Sequence, residues 1–169
     1  MSRNLSQNKI IILDANVWIK GILSIDSTAR NIINVSLKGR LKIVVNSYIV
    51  AEVIRVLKRI AIRIGVNPLK LERDFWILIN SDNVIRDFSL PISENLLEFL
   101  RNKDEILLIA RALDLEPKDV PYIVLAFKYK SSLITEDKRS IYKKRKELEK
   151  RLRIKIFSSN EFLEHLRKH

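Results

Sequence analysis

The chain has 169 residues, 47% of them apolar and 31% charged, which excludes a disordered chain or a bundle of membrane helices and predicts one domain over residues 1–169. It contains no Cys and only two His, His165 and His169. That excludes a disulfide framework, a thiolate zinc site and a cysteine nucleophile, and argues against a histidine-built metal site or a Ser-His-Asp triad. A formal net charge of +12 points to a polyanionic partner and leaves the chemistry to carboxylates, Lys, Arg and hydroxyls.

Residues 1–8 are polar, and the apolar run Ile10-Ile11-Ile12-Leu13 behind them is too short for a signal-peptide core or a membrane span, so a cytoplasmic protein is expected. Residues 9–13, β-branched and ended by Asp14, predict a buried strand, and the mixed apolar spacing of 16–23 a helix. A helix over 28–37 stops at Lys38-Gly39, and 41–45 reads as a second apolar strand ending at Asn46. Ser47 is a good N-cap for a long helix to about Ile64, closed by Gly65. Helices are expected over 68–80, 93–101 and 104–113, with a short strand over 83–87. Asp119 and Pro121 open a helix to about Lys130, and 132–135 forms a short buried strand. A basic helix and a strand over 153–157 follow, then a final helix capped by Ser158 or Ser159. Strands alternating with helices predict an α/β fold whose mainly parallel sheet is covered by helices on both faces.

The charge is concentrated. Residues 138–155 hold ten basic side chains, among them Lys138, Arg139, Lys143, Lys144 and Arg145, against Glu147 and Glu149, a net +8 of the whole +12. Such a segment reads as an electrostatic footprint for nucleic acid, or more plainly as a solvated helix face. A membrane surface is disfavoured, because Ile141, Tyr142, Leu148 and Leu152 recur near helical spacing and form a stripe suited to docking on the body.

Ligands of an open parallel sheet collect beyond the carboxyl ends of its strands. Asp14 and Asp137 follow strands directly, while Glu52 and Asp119 lie near the starts of helices facing the same edge. Each has a local explanation as well: Asp14, Asp119 and Asp137 as helix caps, Glu52 as a partner of Arg55. Convergence would distinguish the two. Four ionised carboxylates about 5 Å apart repel by roughly 3 kcal/mol per pair at an effective dielectric near 20, and a divalent cation relieves that. An all-oxygen ligand set selects a hard cation, Mg²⁺ or Mn²⁺.

Four stretches, Ile12-Leu13-Asp14-Ala15-Asn16-Val17, Ser47-Tyr48-Ile49-Val50-Ala51-Glu52, Lys118-Asp119-Val120-Pro121-Tyr122-Ile123-Val124-Leu125-Ala126 and Ile134-Thr135-Glu136-Asp137-Lys138, together resemble the PIN domain family of metal-dependent nucleases. They occur in the family's order, and the resemblance covers about residues 9–157. The resemblance implies a three-layer α/β/α sandwich on a mainly parallel sheet. It also implies that Asp14, Glu52, Asp119 and Asp137 are catalytic, metal-binding acids, with Asn16 and Thr135 as accompanying polar positions. RNA is the substrate it suggests. Many small members resemble the toxins of VapBC toxin–antitoxin pairs, which allows for a VapB-type antitoxin and a homodimer; others serve in RNA processing. This chain is somewhat longer than the compact toxins, with the extra length expected between residues 68 and 115.

The chemistry then expected is hydrolysis of an RNA phosphodiester by water, with one or two Mg²⁺ or Mn²⁺ ions held by the acids. Arg55, Arg59 and Arg63, spaced along the helix after Glu52, form either a strand-guiding track or an ordinary solvated face. A haloacid-dehalogenase-type phosphatase also starts from an Asp after strand one, but it needs a second Asp two residues later, where this chain has Asn16. A PIN-like module that binds RNA or a protein without cutting is the other alternative.

Overall fold

A computed structural model describes residues 9–88 and 104–168. Five strands, β1 Lys9–Leu13, β2 Leu41–Asn46, β3 Val84–Asp87, β4 Ser132–Ile134 and β5 Lys155–Phe157, form one sheet in the order β3-β2-β1-β4-β5. Every neighbouring pair is parallel. The connections from β1 step outward to β2 and β3, and the chain then crosses back to lay β4 on the other side of β1. The direction therefore reverses between β1 and β4, and the carboxyl ends of those two strands form the crevice where an open α/β sheet takes its ligands.

Between β1 and β2 run α1 Ala15–Leu23 and α2 Thr28–Leu37, and between β2 and β3 run α3 Ser47–Ile64 and α4 Pro68–Ile79. These four pack on one another on the face to which right-handed crossovers assign them. The return crossover carries α5 Asp104–Ala112, a 3₁₀ turn Pro117–Asp119 and α6 Val120–Lys128, and α7 Arg145–Leu152 joins β4 to β5. The last helix, α8 Ser159–Lys168, packs against α2. The result is the expected three-layer α/β/α sandwich. The expected helix over 93–101 lies outside the described residues. No described helix is long and apolar enough to cross a membrane.

The strands are hydrophobic on both sides because both sheet faces are covered: Ile11, Ile12, Leu13, Ile43, Val44, Val45, Leu133 and Ile134 are fully buried. Each contributes roughly 1.5–3 kcal/mol by leaving water. Under α1, Trp18 meets Phe75 of α4 edge to face at 5.5 Å.

Several boundaries differ from those expected. Asn46, still extended at φ −120° and ψ 174°, is the N-cap of α3 and accepts a hydrogen bond from the Ile49 amide, so Ser47 is the first helical residue. Gly65 ends that helix at φ 72°, as the sequence predicts. The basic helix is shorter than the basic segment: a 3₁₀ turn Tyr142–Lys144 leads into α7, which Arg153 ends in the left-handed region. Its apolar stripe docks as expected, with Ile141, Leu148 and Leu152 buried. At α8, Ser158 and Glu161 form a reciprocal capping box.

Candidate active site

Asp14 leaves β1 at the crevice. Its amide donates to the Ile134 carbonyl at 2.9 Å, so the β1–β4 ladder itself sets where its side chain emerges. It stands at the N-cap position of α1 yet makes no side-chain cap. Its carboxylate instead accepts the Thr135 hydroxyl at 2.7 Å. Asp14 is only 7% exposed, and among the described residues no Lys, Arg or His lies in ion-pair contact with it. Burial, reinforced by Glu52 and Asp119 and opposed by the Thr135 hydrogen bond and more weakly by the Asn16 amide, pushes its pKa up to about 6.

Thr135, fully buried just past β4, serves two acids. The oxygen that donates to Asp14 also accepts the Asp137 amide at 3.1 Å. Asp137 is half-buried, and one of its oxygens accepts the Arg139 amide at 2.8 Å, a local turn bond. Glu136 points to a different task, accepting the Ser159 amide at the start of α8.

Asp119 ends the 3₁₀ turn and precedes α6 without capping it. It is 7% exposed and accepts a hydrogen bond from Ser140. Burial raises its pKa, against the Ser140 hydrogen bond and the Lys118 charge and with the help of Glu116 and Asp137. Glu52 sits in the second turn of α3, half-buried, and accepts a hydrogen bond from Tyr122. It forms no ion pair with Arg55. Burial, with the charges of Asp14 and Glu52, raises the Tyr122 pKa well above its ordinary value, so that hydroxyl remains a donor.

The local explanations thus fail for Asp14, Asp119 and Glu52, and hold in part for Asp137. Asp14 is coupled electrostatically to Glu52 and Asp119, and Asp119 to Asp137. Among the described residues, however, no three His, Cys, Asp or Glu side chains stand close enough together to hold a metal ion as they are. The donor set still fits a hard cation chemically: it is all oxygen, and the buried Asp14 carboxylate has no cation partner among the described residues. Asn16 is exposed on the first turn of α1.

The basic residues divide. Arg55, Arg59, Lys138, Arg139 and Lys143 are exposed. Arg139, Lys143 and Lys144 line a cavity of about 380 Å³ whose wall includes Ser140, the donor to Asp119. Lys144 donates to the Asp114 carbonyl. Arg145 is committed elsewhere: its guanidinium donates to both oxygens of Glu161 at 2.9 and 3.0 Å and stacks on Tyr142.

Three site residues escaped the sequence reading: Tyr122, Ser140 and Tyr48. Tyr122 left a legible trace, since it is the lone hydroxyl in an otherwise apolar run from Val120 to Ala126 and a buried phenol needs a partner. Ser140, one serine inside a basic run, left none.

A family model for the PIN domain matches residues 11–148. Among solved structures, a chain of the crystal structure of VapBC2 from Rickettsia felis bound to a DNA fragment from their promoter superposes with a TM-score of 0.57 at 13% identity. The match covers 88% of this chain and 98% of that one. Comparison with curated proteins finds no match.

Proposed function

The chain belongs to the PIN domain family, whose members are generally nucleases, and we propose that it is a metal-dependent ribonuclease whose acids are Asp14, Glu52, Asp119 and Asp137. The observation that carries this reading is Asp14: a carboxylate buried at the β1–β4 reversal, with no side-chain cap bond to its helix, without a cation partner among the described residues and coupled to two further acids. Mg²⁺ or Mn²⁺ bound there would supply Lewis-acid stabilisation of phosphate oxygens and a more acidic water.

The chain's own part is placement. Asp14, Glu52 and Asp119 would hold the cation, with Thr135 fixing the rotamer of Asp14 through its 2.7 Å hydrogen bond and Ser140 that of Asp119. Asp137, half-buried, is tied to the same Thr135 oxygen through its amide. Asn16, exposed on the first turn of α1 two residues beyond Asp14, would be open to a phosphate oxygen or water. Lys138, Arg139, Lys143 and Lys144 would draw the RNA backbone toward the acids, with Arg55 and Arg59 extending the track along α3. Hydrolysis adds water across one P–O bond, leaving one product with a phosphate and the other with a hydroxyl.

The VapBC2 likeness supports a toxin role with a VapB-type antitoxin; an RNA-processing nuclease would use the same site. One observation favours a second reading, a module that binds RNA without cutting: no three of the acids stand within metal-holding distance as they are. Cleavage of a labelled structured RNA by wild type and Asp119→Asn, each with Mn²⁺ and with EDTA, separates them. Cleavage that requires both Mn²⁺ and Asp119 supports the nuclease; RNA binding by both proteins without cleavage supports the module.

A further inference from the structure

Tyr122 is 2% exposed on α6, where its neighbours from Val120 to Ala126 are all apolar. Its hydroxyl is nevertheless fully used: it donates to Oε2 of Glu52 and accepts from the Ala15 amide at 3.4 Å. Ala15 opens α1, so that amide is one of the donors a helix start leaves unpaired, and it lies beside Asp14. The ring is braced by Tyr48 of α3, edge to face at 5.9 Å, and Tyr48 in turn donates to the Lys118 carbonyl at 3.1 Å, next to Asp119. One phenol therefore links the segments that carry three of the four acids.

We propose that Tyr122 is a positioning residue of the cation site, fixing Glu52 by occupying Oε2 so that Oε1 is the oxygen available to a divalent cation. This rests on the metal-dependent reading above. Among the described residues the half-buried Glu52 forms no ion pair, and the Tyr122 hydroxyl restrains its carboxylate. Without that restraint a cation must order a free glutamate side chain on binding, and a partner that orients a metal-binding group is typically worth about 10–100-fold in metal affinity.

The test is calorimetric titration of the full chain with Mn²⁺ in wild type, Asp14→Asn, Tyr122→Phe, Glu52→Gln and the Tyr122→Phe/Glu52→Gln double variant. Tyr122→Phe is expected to weaken Mn²⁺ binding about 10–100-fold and to add nothing to that loss in the Glu52→Gln background, while the metal-free protein unfolds a few degrees lower because the Ala15 amide loses its partner. Equal binding by Tyr122→Phe and wild type, or the same loss in both backgrounds, overturns the proposal. A wild type that binds no Mn²⁺, or binds it unchanged in Asp14→Asn, overturns the metal-dependent reading and this proposal together. Binding lost in Asp14→Asn but intact in Tyr122→Phe overturns the role of Tyr122 alone. Should Tyr122→Phe not fold, the wild-type tyrosine absorbance decides: a difference spectrum on Mn²⁺ addition that Glu52→Gln abolishes supports the role, and no difference overturns it.

Discussion

Asp14 and Glu161 are both carboxylates at the start of a helix, and the fold treats them in opposite ways. At Glu161, burial pushes the pKa up, but the Ser158 amide, the Tyr142 hydroxyl and the Arg145 guanidinium outweigh it and hold the carboxyl at about 2. At Asp14 burial dominates, the Thr135 hydroxyl and more weakly the Asn16 amide oppose it, and the carboxyl rises to about 6. The chain has cations in excess, +12 overall, and among the described residues gives Arg145 to Glu161 and none to Asp14. A carboxylate satisfied from within ties α8 to the turn before α7. One left short of donors at the sheet reversal makes the fold less stable and holds affinity in reserve for an external cation.

The largest effect should come from removing the unsatisfied charge. Asp14→Asn is expected to lower Mn²⁺-dependent RNA cleavage by more than about a hundred-fold, beyond what loss of an orienting partner costs. The same substitution should stabilise the metal-free protein at neutral pH. A carboxyl whose folded pKa lies above its unfolded value favours the folded state when protonated. Its contribution is present below 3.8 and is lost as pH rises through about 6, an effect of roughly 3 kcal/mol at most. Urea denaturation in EDTA at about pH 4 and about pH 7 checks this: wild type should lose stability relative to Asp14→Asn at the higher pH, and Mn²⁺ should restore it. A parallel pH response in the two proteins would break the contrast with Glu161.

Glu161 should behave in the opposite sense and more weakly. Its folded pKa is depressed, so its contribution is present above 4.5 and is lost as pH falls toward about 2. The Glu161 side chain is 37% exposed, so screening limits the ion pair to about 1 kcal/mol or less. Glu161→Ala also opens the capping box with Ser158, for a total loss of about 1–2 kcal/mol at neutral pH. Chemical denaturation should show that loss shrinking as the pH is taken down, while RNA cleavage is unchanged.

Where hydrophobic period and strand punctuation agreed, the fold was legible. The strand at Lys9–Leu13 and the helices at Thr28–Leu37 and Pro68–Ile79 fall within a residue of their expected limits, because β-branched runs ended by polar residues and amphipathic stretches ended by Gly or Asn leave little choice. The basic segment was harder to read. Its charge pattern has no preferred period, and the break before Arg145 is set by tertiary contacts: Ser140 turned to Asp119 and Arg145 drawn to Glu161. The acids were legible as residues following strands, since any parallel sheet gathers such positions at one edge. What surrounds them was not. Which oxygen Thr135 touches, and that Tyr122 reaches Glu52 across 70 positions of sequence, depends on packing between α3 and α6 that no local pattern encodes.

The smallest predicted effect concerns two neighbouring strand-to-helix junctions. Asn46 at the end of β2 caps α3 through its side-chain oxygen, at 2.9 Å from the Ile49 amide, whereas Asp14 at the end of β1 leaves α1 uncapped. Asn46 and Ser47 are both good capping residues, so sequence alone does not choose between them; the extended backbone of Asn46 does. Asn46→Ala should cost about 1 kcal/mol of stability. Asn46→Ser should stay within about 0.5 kcal/mol of wild type, since it keeps a capping oxygen and removes a buried side-chain amide nitrogen that has no hydrogen-bond partner. Ser47→Ala, which removes no cap, should likewise stay within about 0.5 kcal/mol. Denaturation midpoints of the three variants beside Asp14→Asn test the comparison at one edge of one sheet: capping energy lost at β2, and burial energy recovered at β1. A Ser47→Ala loss larger than that of Asn46→Ala would move the cap to Ser47.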